Sequence, residues 1–307
     1  MKKLKLSVTI GTLHLDVPIV CASGTFGYGQ ELKGLVDFKG IGAIVTKTIT
    51  KEPHGGNPPP RICETDHGVI NSIGLENPGL DEFIADKLAG IKKLPTRCIV
   101  SVGGFSVQEY AYILRRLNAL KGISAYEINL SCPNIRLKKL ISQDPAQTYA
   151  VTKRLRKLTA KPLIIKITPQ VTDIVPVARA AQEAGADAIS LVNTFFAMAI
   201  NIETRTPVLG NTYGGYSGKA IKPMSLYQVW RVYNHVQIPL IAGGGIETAE
   251  DAIEFFLAGA AAVSIGTVNF VYPNQAAVIL KGVTSFMKRH ALEDIKKLRG
   301  GLRAAQR

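Results

Sequence analysis

Eight short apolar runs rich in β-branched residues, spaced by longer stretches that mostly carry helical periodicity, predict a closed (β/α)8 barrel. A further observation agrees with them. Glycines and polar side chains gather at the carboxyl ends of the runs, the edge where barrels of this class bind their ligands. The chain of 307 residues has the length of one such barrel, and it reads as a single domain over 1–307.

The elements follow in order. Residues 4–17 read as an N-terminal β-hairpin turning at Gly11-Thr12. The barrel runs are Ile19–Ala22, Ala43–Thr46, Cys98–Val102, Tyr126–Leu130, Leu163–Ile167, Ala188–Val192, Leu240–Ala242 and Ala262–Ile265. Helical spacing is clearest over Ser106–Leu120, Asp144–Thr159, Val171–Ala184, Pro223–His235 and Thr248–Ala258. Two long connections, 48–96 and 194–222, interrupt this rhythm. Both are rich in Gly, Pro and Asn, and both follow strands, which places them as insertions on the catalytic face.

Composition narrows the class. A hydrophobic share of 46% with 20% charged residues belongs to a globular protein with a sizeable core. No apolar stretch reaches the ~18 residues of a membrane span. The start, Met1-Lys2-Lys3-Leu4-Lys5-Leu6, is basic but lacks the apolar centre of a signal peptide, so a cytoplasmic protein is expected. Four cysteines at 21, 63, 98 and 132 show no Cys-x-x-Cys spacing, which argues against a metal centre and against a disulfide scaffold. The net charge of +14 suits nucleic acid, an acidic partner or anionic metabolites. Runs such as Lys153-Arg154-Arg156-Lys157 read as solvated helix faces instead.

The chemistry centres on Tyr126-Glu127-Ile128-Asn129-Leu130-Ser131-Cys132-Pro133-Asn134. Polar and apolar residues alternate until Pro133 turns the chain out of the sheet, so Asn129, Ser131 and Cys132 fall at the strand's carboxyl end. A cysteine there is a nucleophile or proton-transfer candidate. Glycines follow the seventh and eighth strands at Gly243-Gly244-Gly245 and Gly266-Thr267, the usual phosphate position of a barrel. Lys47 follows the second strand and Lys166 lies within the fifth, where a lysine is costly to bury without an anion. With the amides of Asn71, Asn129 and Asn193, beside Thr194, they fit a small planar ligand rich in carbonyl and carboxylate groups.

Asn129-Leu130-Ser131-Cys132-Pro133-Asn134 resembles the Asn-x-Ser-Cys-Pro-Asn motif of the class 1 dihydroorotate dehydrogenases, which hold FMN in a (β/α)8 (TIM) barrel. The likeness extends through Ala22–Gly27, Thr46-Lys47-Thr48, Gly56–Arg61, Glu64-Thr65, Asn71–Gly79, Val192-Asn193-Thr194, Gly214–Gly218, Gly243–Gly245 and Gly266-Thr267. The Gly-Asn-Pro-x-Pro-Arg run and the Asn-Pro-Gly ending resemble the NAD-linked class 1B catalytic subunits more than the fumarate-linked enzymes. The resemblance implies oxidation of (S)-dihydroorotate to orotate in pyrimidine biosynthesis, with Cys132 as the base and hydride passing to flavin N5. It implies that Lys47, Asn71, Ser72, Ile73, Gly74, Leu75, Asn129, Asn193 and Thr194 hold the substrate. FMN, one per chain, would lie on Ser23, Thr46, Lys47, Ser101, Asn129, Lys166, Val192, Gly218, Gly244, Gly245, Gly266 and Thr267. No metal site is implied in this chain. The resemblance implies that FAD and an iron–sulfur cluster sit only on a partner subunit, with which a homodimer of this chain would form a heterotetramer.

Two departures from the family pattern stand out. Ser101 occupies a position that often carries Asn, and the loop after the cysteine reads Ile135-Arg136-Leu137-Lys138-Lys139-Leu140 in place of a Gly-Gly pair. Neither departure touches the cysteine, the lysines or the phosphate glycines. Fumarate-linked and dihydropyrimidine-oxidising relatives are the nearest alternatives. An RNA-modifying flavoenzyme resembling the tRNA dihydrouridine synthases would suit the charge, but the Asn-Ser-Ile-Gly-Leu and Gly-Tyr-Ser-Gly stretches match the small-molecule enzymes, so neither nucleic acid nor membrane is expected as a partner.

Overall fold

The computed structural model describes residues 4–131, 133–134 and 139–303. Its centre is the expected barrel. The strands are β1 (Ile19–Cys21), β2 (Ala43–Val45), β3 (Arg97–Val102), β4 (Ala125–Asn129), β5 (Leu163–Lys166), β6 (Ala188–Leu191), β7 (Leu240–Gly243) and β8 (Ala262–Ile265). Every neighbouring pair is parallel, in sequence order, and β8 closes onto β1. Strand residues such as Ile44, Ile99, Ile128, Ile164, Ile189 and Val263 are fully buried. Such runs of β-branched residues suit a sheet covered on both faces.

Among the described residues, six helices of nine or more residues follow strands β3 to β8: α1 (Val107–Asn118), α2 (Pro145–Arg156), α3 (Val175–Glu183), α4 (Lys222–Tyr233), α5 (Ala249–Ala258) and α6 (Gln275–Arg289). Their caps are written in the sequence. The side chains of Ser106, Asp144 and Thr248 accept backbone N–H groups of the first turns of α1, α2 and α5. On α1, Tyr110, Ala111, Ile113, Leu114 and Leu117 form the buried stripe. On α6 the stripe is Ala276, Ile279, Val283 and Met287. The basic run on α2 splits: Lys153, Arg154 and Lys157 are exposed, whereas Arg156 is half-buried, pairs with Asp187 at 2.5 Å and donates to the carbonyls of Thr159 and Lys161.

The N-terminal hairpin is shorter than expected, pairing Val8–Ile10 with Leu13–Leu15. The two long connections are not plain loops. Within 48–96, residues 79–91 are helical, with Leu80, Phe83, Leu88 and Ile91 buried. The two insertions also meet in a four-stranded antiparallel sheet, ordered Phe195–Ala197, Gly214–Ser217, Gly68–Asn71, Ile62–Thr65. Gly215 faces Asn71 in that sheet, and a Cβ there would stand 2.0 Å from Thr194 Oγ1, so only glycine admits the threonine. The sheet grows from chain that leaves the carboxyl ends of β2 and β6 and so belongs to that end of the barrel. Among the described residues no helix is long and apolar enough to cross a membrane.

Candidate active site

Strand alternation determines what faces the barrel interior. Tyr126 of β4 donates its hydroxyl to Asn118 at the end of α1, so it points outward beneath the helices. Its neighbours Glu127 and Asn129 therefore point inward. Glu127 pairs in register with Ser101 of β3, and Asn129 with Lys166 of β5.

These residues make a buried polar chain across five strands. Ser23 Oγ donates to Thr46 O at 2.7 Å and lies 3.3 Å from Thr48 Oγ1. Thr48 Oγ1 is 2.9 Å from Ser101 Oγ, which donates to Glu127 Oε1 at 3.4 Å. Lys166 Nζ stands 3.8 Å from the same carboxylate oxygen. The Glu127 side chain is 5% exposed and that of Lys166 14%. An acid inside a barrel normally filled by branched aliphatics requires such partners, because an unpaired buried charge is costly. Among the described residues no acceptor lies within hydrogen-bond distance of Lys166 Nζ, so its donors remain available to a ligand.

Lys47 differs. It follows β2, half-buried, with Nζ 3.6 Å from Glu76, whose other cation is Arg61 at 3.1 Å. Arg61 also donates to the carbonyls of Asn57 and Gly55, which ties the start of the insertion to its later arm. Ser72 is a buried knot in that arm, its hydroxyl accepting from Asn57 at 2.9 Å and from Asn211 at 3.1 Å. Asn71 donates to Gly215 O, while Gly74 and Leu75 hold positive φ with Asn57 packed against Gly74. Ile73 accepts the Asn57 N–H with its carbonyl. A recess of about 360 Å3 opens here beside Lys47, lined in part by Tyr28, His54, Glu76 and Asn77.

On the β6–β8 side, Val192 N donates to Gly243 O and Asn193 Oδ1 accepts from Thr194 N. Gly244 and Gly245 have φ of +120° and +82°, and a Cβ on Gly245 would lie 2.8 Å from Lys222 N and 2.9 Å from Gly218 O. Gly266 is open, with nothing nearer to a built Cβ than Ala22 and Thr25 at 3.7 Å. Thr267 donates to Ser217 at 2.9 Å, linking β8 to the insertion sheet. The start of α5 is closed by its own capping box: Asp251 accepts from the backbone of Glu247 and Thr248 and from Lys222 at 2.7 Å. Burial alone would raise the Asp251 carboxyl, but the hydrogen bonds from Lys222, Glu247 and Thr248 outweigh it and hold the group below its ordinary value.

Of the residues singled out in the sequence, Ser23, Lys47, Asn71, Asn129, Lys166, Val192, Asn193, Thr194, Gly244, Gly245, Gly266 and Thr267 keep partial exposure around the carboxyl ends of the strands. Thr46, Ser72, Ser101 and Gly218 are buried, and the polar groups of the first three engage protein partners beneath that surface. Cys132 and residues 135–138 of the basic loop lie outside the described residues. Ser131, just before Cys132, has a buried hydroxyl with no hydrogen-bond partner among the described residues. Of the other cysteines, Cys63 lies half-buried in the insertion sheet. Cys21 and Cys98 are buried, and burial pushes Cys98 up to about 12 and Cys21 higher. The sequence reading missed Glu127 and Thr48 as members of the site. A glutamate inside an apolar strand was the available signal for the first.

A second recess, about 640 Å3, lies at the opposite end, lined in part by Val8, Gln237, Ala261 and Arg299. Gln237 and Ala261 stand just before β7 and β8, whereas ligands of such barrels bind where strands end. No residue singled out above lines it.

Comparison with known proteins agrees with this geometry. Residues 5–287 match the sequence profile of the family described as dihydroorotate dehydrogenase. The chain is 46% identical to the "Dihydroorotate dehydrogenase B (NAD(+)), catalytic subunit" of Desulforudis audaxviator, over 97% of each chain. It is 48% identical to the protein of the same name from Desulforamulus reducens, over 97% of this chain and 98% of that one. A solved structure, the DHODH of Eimeria tenella in complex with ferulenol, superposes with a TM-score of 0.78 at 24% identity, covering 97% of this chain and 88% of that one, and supports the fold. From the barrel, its mouth and these matches together, the chain belongs to the dihydroorotate dehydrogenase family of oxidoreductases.

Proposed function

We propose that the chain is the catalytic subunit of an NAD-linked dihydroorotate dehydrogenase, converting (S)-dihydroorotate to orotate in pyrimidine biosynthesis. The observation that carries this reading is the Lys166 ammonium. It is nearly buried, balanced by Glu127, and without a hydrogen-bond acceptor among the described residues. Across the mouth, Gly244, Gly245, Gly266 and Thr267 present backbone at the usual phosphate position of a barrel. A ligand with a polar ring at one end and a phosphate at the other fits both, and FMN has that form.

FMN, held by Ser23, Lys47, Asn129, Lys166, Val192 and the four phosphate residues, would supply the hydride acceptor for C6 of the substrate. Thr46, Ser101 and Gly218 would support it from beneath. Lys47 and the amides of Asn71, Asn129 and Asn193, with Thr194, bind and orient a planar substrate through its carboxylate and carbonyl groups. Ser72 fixes the Asn71–Leu75 arm by its bonds to Asn57 and Asn211, so Ile73, Gly74 and Leu75 are held by backbone. The insertion sheet, grown from the chain that leaves β2 and β6 at this end of the barrel, would shield the reacting atoms from water. Cys132, at the end of β4 in the sequence, takes the proton from C5. An ordinary thiol with a pKa of about 8.5 is a few per cent ionised at neutral pH, enough for a base whose rate rises with pH.

The relatives' shared name, catalytic subunit, supports a second subunit. That partner carries FAD and an iron–sulfur cluster and passes electrons to NAD+, in a cytoplasmic assembly around a homodimer of this chain. An acceptor assay tests the reading. The purified chain should form orotate with an artificial acceptor, fail to reduce NAD+ alone, and gain NAD+ reduction when the electron-transfer subunit is added. Turnover with fumarate at the rate of the artificial acceptor would transfer the chain to the fumarate-linked branch.

A further inference from the structure

Glu127 has no role in the reading above beyond balancing a charge, yet its setting is unusual. It is an acid within a barrel strand, 4% exposed, in a layer below Asn129 and Lys166. The hydroxyls that reach it run in one direction. Each hydroxyl has a single proton. Ser101 donates its proton to Glu127, so the 2.9 Å contact between Thr48 and Ser101 is donated by Thr48. Ser23 sends its own proton to the Thr46 carbonyl. A line of two donors, from Thr48 just past β2 through Ser101 of β3, therefore terminates on one carboxylate oxygen, and that oxygen is the one facing Lys166. Ser23 stands outside the line.

The ion pair is long at 3.8 Å, beyond a hydrogen bond, so Glu127 attracts the ammonium without occupying its donors. We propose that Glu127 is a positioning residue for the bound flavin. Held by Ser101, which Thr48 holds in turn, it keeps the Lys166 ammonium in place and offsets part of its charge at the ring. This deepens the FMN reading and rests on it. It also gives Ser101 a task that the short hydroxyl performs: bridging Thr48 and Glu127 in a buried gap between β2 and β4.

The consequence is electrostatic. Reduction adds negative charge to the ring, and a cation beside it favours the reduced form. Replacing Glu127 by Gln keeps its size but leaves Lys166 uncompensated, so the reduced form gains. Replacing Lys166 by Gln does the reverse. The double variant, neutral at both positions, returns toward the wild type, because the two opposite charges beside the ring are removed together.

The test is a double-mutant cycle read by two measurements, the flavin midpoint potential and the thermal midpoint of the flavin-free protein. Glu127→Gln should raise the preference for reduced over oxidised flavin about tenfold, a shift of about 30 mV for a two-electron couple. Lys166→Gln should lower it, and the double variant should lie between them. Glu127→Asp, which keeps the charge, should restore most of the wild-type potential. A Glu127→Gln protein that binds flavin at an unchanged or lowered potential overturns the proposal, as do strictly additive changes in the thermal cycle. Where Glu127→Gln fails to fold, the double variant decides: recovery of a cooperative thermal transition supports the pair, and equal loss overturns it. A wild-type protein that binds no flavin would overturn the FMN reading, and the proposal with it. Coupling in the thermal cycle would then show that the ion pair itself stands and that the cofactor assignment is what failed.

Discussion

Two lysines stand at the mouth of the barrel, and their surroundings differ sharply. Lys47 leaves β2 into a half-open recess and shares the exposed Glu76 with Arg61. Lys166 remains inside β5, opposite a carboxylate that is almost wholly buried and anchored by the Ser101 hydroxyl, which Thr48 holds in turn. The first pair sits in water and joins two arms of an insertion. The second was formed at the expense of desolvating both charges and can persist only while each has the other. Residue type at a strand end therefore does not define a role. The same ammonium is an adjustable contact in one place and a fixed part of the scaffold in the other.

Breaking the buried pair should have the larger effect. Glu127→Ala leaves an unpaired ammonium and the Ser101 hydroxyl without its acceptor, and should cost about 3–5 kcal/mol in denaturant unfolding. Gly245→Ala should cost about 1–3 kcal/mol, since its left-handed backbone disfavours a side chain and the Cβ meets Lys222 N and Gly218 O. Flavin retention on gel filtration should fall with it. Asp251→Ala removes the α5 cap and the partner of Lys222, and should cost about 1–2 kcal/mol. Because the folded Asp251 carboxyl titrates below its unfolded value of 3.8, its contribution is fully present above that value and fades as pH falls through the lower folded one. The wild-type advantage over Asp251→Ala should therefore be flat at neutral pH and shrink only in strong acid. Glu76→Gln, at the exposed pair, should change stability by less than about 1 kcal/mol, an effect that salt abolishes. Equal losses for Glu127→Ala and Glu76→Gln would erase the distinction between the two lysines.

The barrel was legible because each strand is a short run of β-branched and apolar residues, and all eight appear where those runs lie. Helix caps were legible for the same local reason, as with Ser106 and Thr248. What could not be read was pairing at a distance. The insertion sheet joins Asn71 to Gly215, 144 residues apart, through strands too short and exposed to show alternation. The helical stretch at 79–91 did carry a signal in Leu80, Phe83, Leu88 and Ile91, but Gly79 and Gly90 and the surrounding Gly-Pro punctuation obscured it. Within the site, the sequence located Lys166 and stated that it needs an anion. Naming Glu127 as that anion required the register of β4 against β5, which no single strand contains. The phosphate glycines were legible from their position after β7 and β8. That Thr46 and Ser101 lie beneath the mouth was not, because both occupy strand-end positions that look alike until side-chain direction is known.

The central claim is that one mouth binds a flavin, a dihydropyrimidine and a base together. Anaerobic titration with dihydroorotate, following the flavin band near 450 nm, tests it most directly when wild type and Cys132→Ser are compared. The account predicts prompt bleaching in the wild type and bleaching slowed by orders of magnitude in the variant, with flavin bound equally in both. A flavin that dihydroorotate leaves oxidised, or a Cys132→Ser protein that bleaches at the wild-type rate, would contradict it.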